Sequence, residues 1–185
     1  MISDVSICNL GLTMLSTARI NSLTEDSENA RKCNAVYEML RDSLLSEHNW
    51  NFAISERILA AVDDTPTLTD NWTEVHAVPS DCLRIIRMEY DYPFKREGNY
   101  IFSNVSSPKI EYVKRVTDPT RFSSGFIKAL AAQIASALAF GITQNATLHE
   151  TMLKIASQTL REAKWSDAQE GMGTTIQSGS LLEER

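Results

Sequence analysis

The sequence predicts an α+β, mainly helical fold: a helical bundle with a small inserted antiparallel β-sheet and an extended C-terminal tail. Apolar residues recur at spacings of three and four near both ends of the chain, whereas in the middle they alternate between turn signals. The composition agrees. Of 185 residues, 43% are hydrophobic and 23% charged, with only seven glycines and five prolines. A chain of this length and make-up can bury a core of its own as one domain, here spanning 1–170.

The first helix is expected over 3–15, where Val5, Cys8, Leu12 and Leu15 form one stripe behind Ser3 or Asp4 as N-cap. A longer helix is expected over 23–48. Ser22 and Glu25 have capping-box spacing, and Asp26 and Glu28 place negative charge where a helix dipole favours it. Its stripe is Ala30, Cys33, Tyr37, Leu40 and Leu44, with Arg31, Lys32, Glu38, Arg41 and Asp42 off the stripe. Past the helix, Trp50, Phe52 and Ile54 alternate with polar or small residues, and a turn-rich stretch follows over 63–71.

Four strands are expected within an insert at about 72–116, at 72–78, 83–90, 100–103 and 109–116, separated by Pro79, Pro93, Glu97-Gly98-Asn99 and Ser106-Ser107-Pro108. Asp118-Pro119 closes the insert, because the residue before proline is pushed out of the α region. An alanine-rich helix over 124–143 and a second over 148–169 then form a hairpin. Thr147 and Glu150 give the second a capping-box spacing, and Leu148, Met152, Ile155, Thr159 and Ala163 give it an apolar face. The last stretch, 171–185, holds only Met172, Ile176, Leu181 and Leu182 as large apolar groups, too few for a core, and reads as a flexible arm.

Charge and cysteine usage narrow the function classes. The net charge is −6, which argues against tight binding to bare DNA, a process that rests on many Lys and Arg neutralising phosphates. The first residues lack the positive and apolar segments of a secretory signal, and the polar residues within 129–149 fit a buried helix better than a bilayer span. Cys8, Cys33 and Cys82 are odd in number and widely spaced, as expected of reduced core thiols.

Chemistry-bearing motifs are sparse. His48, His76 and His149 are far apart and lack metal-ligand spacing, so no metal and no cofactor are expected. Gly171 to Thr175 lacks the spacing and lysine of a phosphate loop. Cys82 and His76 form at best a weak catalytic dyad, resting on strand parity alone. The basic sheet residues Arg84, Arg87, Lys95, Arg96, Lys114 and Arg115, with nearby Tyr90, Tyr92 and Phe94, support an alternative reading as a DNA-binding accessory protein.

A set of segments running in order along nearly the whole chain carries a resemblance to a known family. They are Ile7-Cys8-Asn9-Leu10, Ile20-Asn21-Ser22-Leu23, Ala30-Arg31 with Cys33 and Tyr37, Arg41-Asp42 with Leu44-Leu45, and His48 with Trp50-Asn51-Phe52-Ala53. Arg57, Trp72, Val78-Pro79 with Asp81-Cys82-Leu83-Arg84, Asp118-Pro119, Phe122, Phe126 and Ala129-Leu130-Ala131 continue it. The chain resembles the head-to-tail adaptor proteins of short-tailed phages, the tail tubular protein A family. Asn49 departs from the pattern where proline is common, and Ala77 where an aromatic is common.

The resemblance implies a virion protein without an active site, assembled in the host cytoplasm and without a membrane anchor. It implies a dodecameric ring between the portal protein and the tail nozzle protein, with DNA passing through its lumen. His48, Trp50, Asn51, Phe52, Pro79, Asp81 and Arg84 match the structural motif of the family, and its segment 48–53, with Trp50 and Phe52 after a long helix, is expected to be core rather than interface. Met172, Ile176, Leu181 and Leu182 are expected to contact the portal or a neighbouring subunit.

Overall fold

The structure, a computed structural model, describes residues 2–62 and 71–170. Among these residues it has the expected class: four α-helices with strands between the second and third. Helix α1 (Asp4–Met14) starts at Ser3, whose hydroxyl accepts the Ser6 amide while the Ser6 hydroxyl accepts the Ser3 amide. These reciprocal bonds satisfy two donors that a helix start leaves open.

Helix α2 (Glu28–Glu47) begins five residues later than expected. Its N-cap is Ser27, which accepts from the Ala30 amide at 3.2 Å. Glu25 does reach back to Ser22, accepting its amide at 3.3 Å, but it also takes the Asn21 amide at 2.7 Å and the Ser27 hydroxyl at 2.8 Å. The carboxylate therefore closes a loop ahead of the helix, and these donors hold its pKa below the ordinary range.

Helix α3 (Ser124–Thr143) is the hub, since α1, α2 and α4 (Ala146–Glu170) all pack on it. Its alanines permit close approach: a Cβ on Gly11 of α1 would lie 2.9 Å from the Ala131 carbonyl oxygen. Gln144, at φ 51°, ends α3, and the Asn145 side chain then accepts the Leu148 amide at 3.0 Å. Asn145 thus takes the capping role expected of Thr147, and α4 starts two residues early. The main core runs from Ile7 and Leu12 through Tyr37, Leu45 and Trp50 to Phe126, Ile134 and Leu160.

The insert differs most from expectation, for it is two three-stranded antiparallel sheets rather than one sheet. The first has the order β1 (Ile54–Ile58), β6 (Lys109–Lys114), β3 (Cys82–Met88); the second has β2 (Glu74–Ala77), β5 (Tyr100–Ser103), β4 (Phe94–Glu97). Strand β1 precedes the turn-rich stretch and pairs Ile54 with Val113 and Ile58 with Lys109. Past it, Ala61 bridges to His76, so the chain passes from one sheet to the other. Trp50 and Phe52 do not belong to a strand; Trp50 precedes and Phe52 lies within a 3₁₀ turn, Asn51–Ala53. Strand β3 ends at Met88 because Tyr90 and Asp91 take positive φ values of 56° and 52°.

Candidate functional site

The residues of the family motif gather where the end of α2 meets α4 and β3. The Trp50 side chain is fully buried and donates its indole N–H to the Leu44 carbonyl at 2.9 Å. Its ring meets Phe126 edge-on at 5.1 Å between centroids, and Phe52 meets Phe126 at 5.2 Å. Phe122 lies 4.8 Å from Phe126 and completes the cluster, with Phe52 partly exposed. Aromatic pairs at such distances contribute beyond the area they bury.

Below this cluster lies Asp167 of α4, only 4% exposed. Its carboxylate meets His48 Nε2 at 3.2 Å and accepts the Asn51 amide at 3.2 Å, while the Asn51 side-chain amide donates to the Asp167 backbone oxygen at 2.6 Å. One buried acid thus fixes the exit of α2 against α4, about 120 residues apart in sequence. Sequence reasoning missed Asp167. A signal existed: it continues the spacing of Met152, Ala156, Leu160 and Ala163, so a carboxylate stands on the core face of α4.

Arg84 binds the same corner from β3. Its Nε donates to the Ser46 carbonyl at 2.8 Å and its Nη2 to the Asn49 side chain, so it caps the open carbonyl end of α2. Pro79 and Asp81 shape the turn before β3, where the Cys82 amide donates to the Pro79 oxygen at 2.9 Å and the Arg115 amide to the Asp81 oxygen at 2.7 Å. Tyr112 donates its hydroxyl to the Asp81 carboxylate at 3.2 Å. Arg41, expected off the buried stripe, is 5% exposed; it pairs with Asp42 at 2.9 Å, and Asp42 also accepts Arg115 Nε at 2.7 Å. Sharing one carboxylate is what permits a guanidinium on the core side of α2.

The remaining candidates are dispersed. Cys82 lies in the first sheet and His76 in the second, where His76 Nε2 contacts the Val105 carbonyl at 3.0 Å and the Ser103 hydroxyl at 3.3 Å, so the dyad is not assembled. Burial holds the Cys82 thiol above its ordinary pKa, which disfavours a nucleophilic thiolate. His149 Nδ1 contacts the Ser136 carbonyl at 3.1 Å. Among the described residues, His, Cys, Asp and Glu form no cluster of three.

The basic residues of the sheets are engaged locally. Arg87 pairs with Glu111 at 2.5 Å, Lys95 with Glu97 at 2.5 Å, Lys114 with Asp81 at 3.5 Å, and Arg115 with Asp42. Arg96 donates to the Gly98 and Leu83 carbonyls at 3.4 Å. Met172, Ile176, Leu181 and Leu182 lie outside the described residues. Chemically, the junction orients groups: Asp167 and Asn51 bond each other, while Arg84 bonds Ser46 and Asn49.

Compared with protein-family models and with curated proteins, the chain matches none.

Proposed function

We propose that this chain is a head-to-tail adaptor of a short-tailed phage, a structural virion subunit that forms a dodecameric ring between portal and tail nozzle and lets DNA pass. The observation that carries the reading is the convergence of the resembling segments. His48, Trp50, Asn51, Phe52, Arg84, Phe122 and Phe126 are scattered over the sequence, yet they meet at one corner that joins α2, α3, α4 and β3. A pattern shared for the sake of a rigid scaffold would fall on such a corner, and a subunit that transmits force between two rings needs one.

The arm 171–185 is assigned to the portal or neighbour contact, through Met172, Ile176, Leu181 and Leu182. Such a segment gains by docking elsewhere, because it holds too few apolar groups to bury by itself. The DNA-binding alternative asks for cations free to meet phosphates, whereas four of its six residues already face carboxylates.

The test is to mix the purified chain with portal rings of its phage and image the product. Added density in a ring on the portal is expected, and removal of 171–185 should abolish it without lowering the melting temperature. Portal particles that sediment and image without bound protein would overturn the reading. Salt-sensitive retention on DNA in place of portal binding would move it to the alternative.

A further inference from the structure

Two thiols of the helical core, Cys8 and Cys33, stand buried on neighbouring helices. Tyr37 in the middle of α2 donates its hydroxyl to Asp4 at the start of α1, at 2.8 Å. Asn29 at the start of α2 donates to the Ala18 carbonyl, past the end of α1, at 2.9 Å. The helices therefore run antiparallel. One turn along each from the Asp4 and Tyr37 contact stand Cys8 and Cys33, since side chains four apart share a helix face. Both are 0% exposed, in one core, and the backbones of α1 and α2 approach within 8 Å. A disulfide asks for Cα atoms about 4.4–6.8 Å apart, within the range that closely packed helices reach.

We propose that Cys8 and Cys33 are a redox-modification site, a dithiol that a small peroxide converts to an intramolecular disulfide tying α1 to α2. The neighbouring Cys33 together with burial pushes the Cys8 thiol up, whereas Cys8 draws the Cys33 thiol down, so Cys33 is the nucleophile. The Cys33 thiolate attacks the peroxide O–O bond; a sulfenic acid forms, and the departing hydroxide takes up the proton lost by Cys33 to give water. The Cys8 sulfur then attacks the sulfenic sulfur. The S–S bond forms as the S–O bond breaks, and the oxygen leaves with the Cys8 proton as a second water. The two sulfurs together lose two electrons and the peroxide gains them.

Burial makes the reaction slow and selective, because peroxide reaches the pair only as α1 opens locally. The product closes a loop over 9–32, which contains the Glu25 turn. The inference stands independently of the adaptor reading.

The test exposes the full-length protein to hydrogen peroxide at pH 8, then blocks free thiols in denaturant and digests with trypsin. Cleavage after Arg19, Lys32 and Arg41 isolates Cys8 and Cys33 on separate peptides. The expected result is a linked pair of these peptides, with Cys82 blocked as a free thiol, and a melting temperature raised by about 5–10 °C that dithiothreitol restores. Cys8 and Cys33 both recovered as free thiols, or as sulfinic acids without a link, would overturn the proposal. So would links that run to Cys82 or between chains. Cys33→Ala should abolish the thermal shift; if that variant does not fold, the peptide map of the natural chain decides alone.

Discussion

The helical body holds one large core built across α3, whereas the sheets share a smaller one, and in both regions some large side chains, such as Trp165 and Met39 on the helices, face water. Ile7, Leu12, Tyr37, Leu45, Trp50, Phe126 and Ile134 are all within 2% exposure. The sheets have a second, smaller core of Leu59, Cys82, Met88, Ile101, Ile110 and Tyr112, yet Ile58 is 68% and Tyr90 79% exposed. Among the described residues, the first sheet joins the main core through Val113 beside Leu83 and Ile86, followed by Val116 just past β6, and the second sheet does not. Position in the body is thus set by burial, and position on the outer sheet faces by backbone pairing and ion pairs such as Lys109 with Glu56 at 2.6 Å. Damage in the body should spread through the whole domain, and damage on the sheet surface should stay local.

The sharpest test is Trp50→Ala, which should cost about 3–5 kcal/mol, because the indole is fully enclosed and its N–H bond is lost with it. Calorimetry should show a melting temperature lowered by more than about 6 °C. An unchanged value would remove Trp50 from the core and erase the distinction at its strongest point. A sheet-surface change of equal size would break it from the other side.

Asp167→Ala should cost about 1–3 kcal/mol in urea titrations, since it strands the Asn51 amide and frees His48. Asp167→Asn should lose less, because one amide oxygen can still accept. If both variants lose nothing, the corner is held by the aromatics alone.

Alkaline pH separates the regions by degree. Burial and the nearby Asp4 carboxylate hold the Tyr37 phenol above its ordinary value, and burial acts likewise on Tyr112 in the sheet. Above pH about 10 the unfolded chain releases the Tyr37 proton while the folded chain keeps it, so stability falls as pH rises. Tyr37→Phe should flatten this decline between pH 9 and 11, measured as urea midpoints. A decline of undiminished slope would assign it to other groups.

The smallest effect is expected at Tyr90, whose φ of 56° disfavours a residue with a Cβ. Tyr90→Gly should change stability by less than about 1 kcal/mol, with relief of strain offsetting the glycine's greater unfolded freedom. A loss of several kcal/mol would show that the exposed ring packs where solvent is drawn.

The helices were legible because their stripes are long; Cys33, Tyr37 and Leu44 are buried as their spacing predicts. Their starts were not, because Ser22 with Glu25 and Thr147 with Glu150 satisfy the capping pattern while Ser27 and Asn145 make the bonds. Strands β1 and β4 were hidden for a different reason. Ile-Ser-Glu-Arg-Ile and Phe-Lys-Arg-Glu are edge strands with little to bury, and only their partners in β6 and β5 define them. The motif at 48–52 was readable as core; the spacing of α4 also placed Asp167 on the core face, but only its partners His48 and Asn51, brought there by the fold, explain a carboxylate at that position.

The central place of α3 also governs how the chain emerges from the ribosome. Helices α1 and α2 are complete at Glu47, yet the surface they cover is not finished until Thr143 has been added. At bacterial or slower synthesis rates that interval lasts on the order of 5 to 20 seconds. During it, Ile7, Leu12 and Leu45 have no α3 to rest on, while the strands made meanwhile find their partners within the insert. The order of synthesis therefore favours sheets that fold early and a helical body that closes last, and it places the need for chaperone cover on the first two helices.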